Sequence, residues 1–238
     1  MTKPAVKSPA FRSVAPAAKP TRMRAAHLAV RVTYAFDHLL YLPAGYRAAR
    51  GPRWPLVVFL HGKGESGHDL ALVERHGPPK LIAAGRTFPF ILAAPQCPAG
   101  QWWNYGALDL FVGELMRRHR VDPDRVYLTG LSMGGFATWA MAQLNPARYA
   151  AIAPICGGGE VKFAAALRDT PIWTFHGGRD RVIPVRRTRE LVMAVKAAGG
   201  SPRFTLYPQA NHDSWTRPYA GQALYTWLLA QRRGAAAR

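Results

Sequence analysis

The sequence has few cysteines and no long apolar run. Its 238 residues include two cysteines, Cys97 and Cys156, so it is not a disulfide-rich scaffold. We expect both as free thiols in the core, with a single bridge as the alternative. No apolar run approaches the roughly 18–20 residues that cross a bilayer, so no membrane span is predicted. The length and the 49% hydrophobic content suit one α/β domain or two small ones.

Acidic residues are also scarce. The chain has 13 Asp and Glu residues against 32 Lys and Arg, a net charge of +19, and no acidic residue precedes Asp37. The excess is interpreted as solvated surface and loose tails, and the alternative is attraction to nucleic acid or an anionic membrane. Because no nucleic-acid-binding motif is found, we predict no specific nucleic-acid partner, although weak polyanion binding is expected at low salt.

Residues 1–24 are rich in Pro, Ala, Lys and Arg and lack periodicity. This composition predicts a disordered basic tail. The segment lacks the 7–15-residue apolar core of a secretory signal, from which we expect a cytoplasmic location. Its acid-free composition is similar to that of a transit peptide, but the prolines oppose an amphipathic helix. The folded domain is predicted over residues 25–232.

Strand-like and helix-like segments alternate along that domain. This pattern predicts an α/β fold with a mostly parallel sheet, helices on both faces and no large cap domain. Apolar or β-type runs predict strands over residues 27–34, 38–42, 55–60, 89–94, 125–129, 149–155, 171–175 and 203–207. Helices are predicted over residues 79–85, 107–120, 134–144, 161–167, 184–198 and 218–230.

Residues 130–135, GLSMGG, join a predicted strand to a predicted helix. A serine between small residues in that context is typical of a nucleophile elbow, which holds the hydroxyl of Ser132 at the sheet edge above a helix N-terminus. Gly130 and Gly134 fit because the turn is too tight for side chains there. An ordinary turn is the alternative interpretation.

A serine hydroxyl needs a base to become a nucleophile, and the base needs an acidic partner. In a doubly wound sheet these groups should follow the carboxyl ends of strands. Asp180 follows the strand predicted at 171–175, and His212 follows the one predicted at 203–207. The chain order Ser132, Asp180, His212 is the order found in α/β-hydrolases.

Other acidic and imidazole groups fit this role less well. Asp169 precedes its strand, and Asp213 is adjacent to His212 in sequence. His176 ends a strand at the Gly177-Gly178 turn, where a structural role is expected. The remaining candidates have no matching context; they are His27, His38, His68, His76 and His119.

When a serine attacks a carbonyl group, the carbonyl oxygen becomes negatively charged. A site for this chemistry also needs hydrogen-bond donors that stabilise this oxyanion. The backbone N–H of Met133 follows the nucleophile directly, and the second donor should come from the loop at residues 61–67, HGKGESG. We predict the N–H of Lys63 for that role. The alternative is a flexible glycine turn, and a phosphate-binding loop is disfavoured because no Gly-Lys-Ser/Thr follows at the required spacing.

These segments together resemble the α/β-hydrolases, and in particular the serine esterases grouped as phospholipase/carboxylesterase, feruloyl-esterase-like and "predicted peptidase" proteins. The resemblance implies a Ser132–His212–Asp180 triad, an oxyanion hole from the Lys63 and Met133 amides, and acyl-enzyme ester hydrolysis without a cofactor or metal. A dienelactone hydrolase typically has cysteine at the nucleophile position, where this chain has serine. The matching segments are residues 61–67, 94–97, 102–103, 121–135, 175–180 and 211–215.

Aromatic residues near the predicted strand ends suggest where a substrate binds. Trp102, Trp103 and Trp215 are expected at the rim of an open cleft, holding an acyl or aryl group, and loop packing is the alternative. The expected substrates are small or aryl esters, feruloyl esters among them, free or derived from a polymer. The competing hypotheses are a peptidase or amidase of this fold and a non-catalytic polyanion-binding protein; no oligomeric state is predicted.

Overall fold

A seven-stranded sheet forms the centre of the molecule. The computed structural model describes residues 33–234. The strands lie in the order β1-β3-β2-β4-β5-β6-β7, and all neighbours are parallel except β1, which pairs antiparallel with β3. Their bounds are β1 His38–Tyr41, β2 Trp54–Leu60, β3 Ile91–Pro95, β4 Val121–Leu131, β5 Ala151–Ile155, β6 Trp173–Gly177 and β7 Arg203–Tyr207.

Helices cover both faces of this sheet, which confirms the predicted α/β-hydrolase architecture. The side chains of β2 alternate between the two faces of the sheet. Leu56 and Val58 pack in the core on one face, and Val57 and Phe59 pack in the core on the other. The first layer holds α2 Tyr105–Arg118, α3 Met133–Leu144 and α4 Arg186–Ala197; the second holds α1 Gly77–Ala83, α5 Thr216–Ala220 and α6 Ala223–Ala230.

Several predicted elements differ from those observed. The strand predicted at 125–129 starts earlier, at Val121, because Trp54 of β2 pairs with that residue across a register shift. The segment at 161–167 is a 3-10 helix. The helix predicted at 218–230 is two helices, because the backbone is extended at Gly221. Of the strand predicted at 27–34, only residues 33 and 34 are described, and neither is in a strand; the tail at 1–24 lies outside the described residues.

From Tyr34 onward the described chain forms one compact unit, and no segment within it builds a cap layer. Among residues 33–234 no helix is both long enough and apolar enough to span a membrane. Cys97 and Cys156 are both buried free thiols, as predicted.

Candidate active site

Ser132 lies at the turn between β4 and α3. Its backbone has φ 54° and ψ −115°, a positive φ that non-glycine residues rarely adopt. Its N–H donates to the carbonyl of Ile155 at 3.0 Å, and its own carbonyl accepts from Phe136 at 3.0 Å. The turn is therefore fixed from β5 on one side and by the first turn of α3 on the other.

The glycine two residues after Ser132 permits this turn. A Cβ on Gly134 would lie 1.9 Å from the carbonyl oxygen of Leu60, a distance no side chain can occupy. The start of α3 therefore packs directly against the end of β2. This contact places Ser132 beside the loop that follows β2.

The three residues predicted to act together do meet at this edge of the sheet. Ser132 Oγ lies 3.0 Å from His212 Nε2, and His212 Nδ1 lies 2.8 Å from Asp180 Oδ2. The Asp180 side chain is fully buried, whereas His212 keeps 21% of its side-chain exposure. The imidazole thus lies between a buried carboxylate, which can hold its tautomer, and the hydroxyl whose proton it can accept.

The loop after β6 orients the Asp180 carboxylate. The backbone N–H groups of Val182 and Ile183 both donate to Asp180 Oδ1 at 2.9 Å, which leaves Oδ2 for His212. These two bonds fix the orientation of the carboxylate toward His212.

Two glycines bring the Asp180 and His212 loops together. A Cβ on Gly177 would lie 2.1 Å from the carbonyl oxygen of Asn211, and one on Gly178 would lie 2.6 Å from that of Pro208. The Gly177-Gly178 pair, which the sequence suggested as a turn, therefore serves as a point of close contact between the loops after β6 and β7.

His176 is buried against the triad, a contact that its sequence context did not reveal. Its Nε2 lies 2.9 Å from the carbonyl of Ile183 and 3.2 Å from Asp180 Oδ2, and its Nδ1 lies 2.8 Å from Thr188 Oγ1. Burial lowers the pKa of His176, partly opposed by the Ile183 carbonyl. His176 therefore contacts the loop that carries Asp180 and the side chain of Thr188, in keeping with the structural role expected for it.

The loop after β2 lies beside Ser132. Ser132 Cβ lies 3.5 Å from the position that a Gly62 Cβ would occupy. Lys63 begins a 3-10 helix and Met133 begins α3, and among residues 33–234 neither backbone N–H donates to a backbone acceptor outside its helix. First-turn N–H groups without partners are the donors that an oxyanion hole uses.

His61 anchors this loop. Its Nδ1 donates to the carbonyl of Gly62 at 2.6 Å, and its Nε2 accepts from the N–H of Cys97 at 2.9 Å. Burial lowers the pKa of His61 to about 4, partly opposed by the Gly62 carbonyl, so the ring stays neutral. It thereby ties the loop after β2 to the end of β3.

The three tryptophans occupy different environments. Trp102 is 49% exposed, and its ring contacts that of Phe136, one turn after Ser132. The Trp215 ring lies 5.2 Å from that of His212. Trp103 is only 3% exposed and donates to the His61 carbonyl at 3.3 Å. The structure therefore corrects the prediction for Trp103, which packs in the core because its indole N–H finds a buried acceptor.

Cys156 adds a thiol to this cluster. Side-chain ligand atoms of Cys156, Asp180 and His212 lie within 4.8 Å of one another, the only such set among residues 33–234. Burial raises the pKa of the Cys156 thiol to about 12, so the thiolate that binds metals is disfavoured. Since His212 and Asp180 already bond each other, the chemistry of this set fits proton transfer better than metal binding.

Known proteins share this architecture. Residues 107–223 match the profile of the dienelactone hydrolase family. The structure of a thermostable esterase superposes with a TM-score of 0.72 at 32% identity, covering 83% of this chain and 60% of the esterase.

Curated relatives include poly(3-hydroxyalkanoate) depolymerase C of Paucimonas lemoignei, 36% identical over 44% of this chain and 28% of the relative. The bifunctional acetylxylan esterase/xylanase XynS20E of Neocallimastix patriciarum is 26% identical over 74% of this chain and 26% of the relative. The chain thus spans little more than a quarter of either protein. It has the α/β-hydrolase fold, is similar to the dienelactone hydrolase family over residues 107–223, and is similar to esterases.

Proposed function

We propose that the chain is a serine carboxylic-ester hydrolase that works through an acyl-enzyme intermediate. The observation that carries this proposal is the continuous contact from Ser132 Oγ through His212 to Asp180, with distances of 3.0 and 2.8 Å. Both distances are within the range of hydrogen bonds, and this chain of contacts lets His212 exchange a proton with Ser132 while Asp180 orients it. The similarity to esterases supports an ester as the substrate.

In this mechanism His212 takes the proton of Ser132 as the hydroxyl oxygen attacks the ester carbonyl. The negative charge that develops on the carbonyl oxygen is stabilised by the N–H groups of Lys63 and Met133. His212 then gives its proton to the departing alcohol, leaving acyl-Ser132. Water, deprotonated by His212, releases the acid and restores the serine. Asp180 stabilises the imidazolium throughout and holds its tautomer.

The expected substrates are small or aryl esters, free or derived from a polymer. The exposed face of Trp102 beside Phe136 offers an apolar surface one turn from the nucleophile, and Trp215 flanks the base. Flat aryl groups pack well on such surfaces. Two relatives carry the names of a poly(3-hydroxyalkanoate) depolymerase and an acetylxylan esterase, which supports a polymer-derived ester among the substrates.

Ser132→Ala tests the proposal, with p-nitrophenyl butyrate as the substrate and Ser201→Ala, an exposed serine before β7, as the matched control. We expect kcat to fall about 10⁴–10⁶-fold in the first variant and to stay unchanged in the second. A fluorophosphonate should label the wild type and not Ser132→Ala. Undiminished hydrolysis by Ser132→Ala would refute the mechanism, and turnover of a matched p-nitroanilide as fast as the ester would indicate an amidase instead.

A further inference from the structure

A buried carboxylate lies next to the nucleophile and is not used by the proposed triad. Glu65 ends the 3-10 helix that begins at Lys63 and is 6% exposed. Gln96 Nε2 donates to its backbone carbonyl at 2.9 Å, which fixes the loop. Glu65 Oε2 and Ser132 Cβ lie 3.1 and 3.5 Å from the same point, the position of a Cβ on Gly62. The carboxylate therefore shares the space around the predicted oxyanion hole.

The protein offers the Glu65 carboxylate few hydrogen-bond donors. Among residues 33–234 the nearest titratable partner of this carboxylate is His76, whose Nε2 lies 3.6 Å from Oε1, too long for a hydrogen bond. Among residues 33–234 no side chain or backbone N–H donates to either oxygen. Neither oxygen is among the fully enclosed atoms of the described residues that lack a hydrogen-bond partner, so each keeps some contact with solvent. Glu65 thus has acceptor capacity that a ligand can reach.

Aromatic rings connect Glu65 to the catalytic base. The rings of His76 and Trp215 meet edge to face at 5.4 Å, and those of Trp215 and His212 at 5.2 Å. Glu65, His76, Trp215 and His212 therefore form a row of neighbouring side chains, with the carboxylate at the end nearest Gly62.

Resting on the proposed function, we propose that Glu65 is a substrate-binding residue that accepts a hydrogen bond from a hydroxyl group of the ester, so that the site prefers neutral hydroxylated esters. A hydroxyl close to the scissile carbonyl would supply the donor that Glu65 lacks. This hydrogen bond would be charge-assisted, about twice as strong as one between neutral groups.

Charge distinguishes a hydroxyl from an anionic group. A carboxylate on the substrate would meet the negative charge of Glu65 at short range. A neutral hydroxyl avoids that repulsion and still donates. The Glu65 acceptor therefore favours hydroxylated esters over anionic ones.

The test compares p-nitrophenyl 3-hydroxybutyrate, each enantiomer separately, with p-nitrophenyl butyrate. The measured quantity is the ratio of kcat/KM for the hydroxylated ester to that for the plain ester. The wild type should prefer one enantiomer of the hydroxylated ester. Glu65→Ala should lower this ratio about tenfold, and Glu65→Gln less, since its amide oxygen still accepts. Glu74→Gln, which removes an exposed carboxylate of the neighbouring 3-10 helix, should keep the wild-type ratio.

The outcomes separate this inference from the function on which it rests. A wild type that hydrolyses both esters without preference overturns the inference alone, as does a ratio unchanged in both Glu65 variants. An equal loss on both esters would show that Glu65 only shapes the loop, and would also overturn it. Absence of hydrolysis and of fluorophosphonate labelling in the wild type would refute the proposed function itself. If Glu65→Ala does not fold, the near-isosteric Glu65→Gln decides.

Discussion

Replacing Ser132 by glycine should make the protein more stable than replacing it by alanine. Both changes remove the hydroxyl and its 3.0 Å contact with His212, so the difference between them isolates the backbone. At φ 54° and ψ −115° a residue with a Cβ is strained, and glycine is not. Strain of this kind costs about 1–3 kcal/mol.

Part of that gain is offset in the unfolded chain, where glycine has more conformational freedom than alanine, by about 0.4–1 kcal/mol. The net difference is therefore about 1 kcal/mol or somewhat more in favour of Ser132→Gly. For a chain of this size a change of about 1 kcal/mol moves Tm by about 2–4 °C.

The assay is urea and thermal unfolding of the two variants side by side, both being inactive in ester hydrolysis. A stability of Ser132→Gly equal to or below that of Ser132→Ala would refute the reasoning, because it would mean that the turn at Ser132 carries no strain. A gain would show that the protein gives up stability to expose its nucleophile, a trade common at active sites.

Three further predictions concern the scaffold. Gly134→Ala forces a Cβ to 1.9 Å from a carbonyl oxygen of β2 and should lower the free energy of unfolding by about 3 kcal/mol or more, measured by urea titration. The control is Gly106→Ala in α2, where the nearest atom to an added Cβ lies at 3.6 Å. This variant should keep or raise the free energy of unfolding. Because burial lowers the pKa of His61 from 6.5 to about 4, the unfolded chain binds a proton there that the folded protein does not. Stability should fall from pH 6.5 toward pH 4, by up to about 3 kcal/mol, and a flat pH profile would contradict this. The buried thiols of Cys97 and Cys156 should not react with DTNB in the native protein at pH 8, and both should react in guanidinium; fast native labelling would contradict their burial.

The sequence predicted the sheet well wherever a strand is buried on both faces. Residues 55–60 and 89–94 are continuous apolar runs, and both contain the core of an observed strand. The first half of β4 was missed because Asp122, Pro123 and Asp124 interrupt the apolar run, and the pairing of Val121 with Trp54 of β2 cannot be read from a local pattern. The break at Gly221 was also missed, since one glycine in an apolar helical pattern does not show whether the helix continues.

The meeting of Ser132, Asp180 and His212 could be predicted because topology brings the ends of parallel strands to one edge of a sheet. Side-chain orientation within loops could not be predicted in the same way. Trp102 and Trp103 are adjacent, yet one is exposed and the other is in the core. The burial of Glu65 likewise depends on how its loop folds over Gln96 and Gly62, contacts that no local pattern encodes.

The order of the strands in the sheet also determines the order in which they can join it as the chain leaves the ribosome. From β4 outward the neighbours β5, β6 and β7 join in chain order, so each can add to an existing edge as it emerges. The imidazole at position 212 comes after the last strand. A nascent chain can therefore complete most of its sheet, elbow included, before it holds the base that would make its serine reactive.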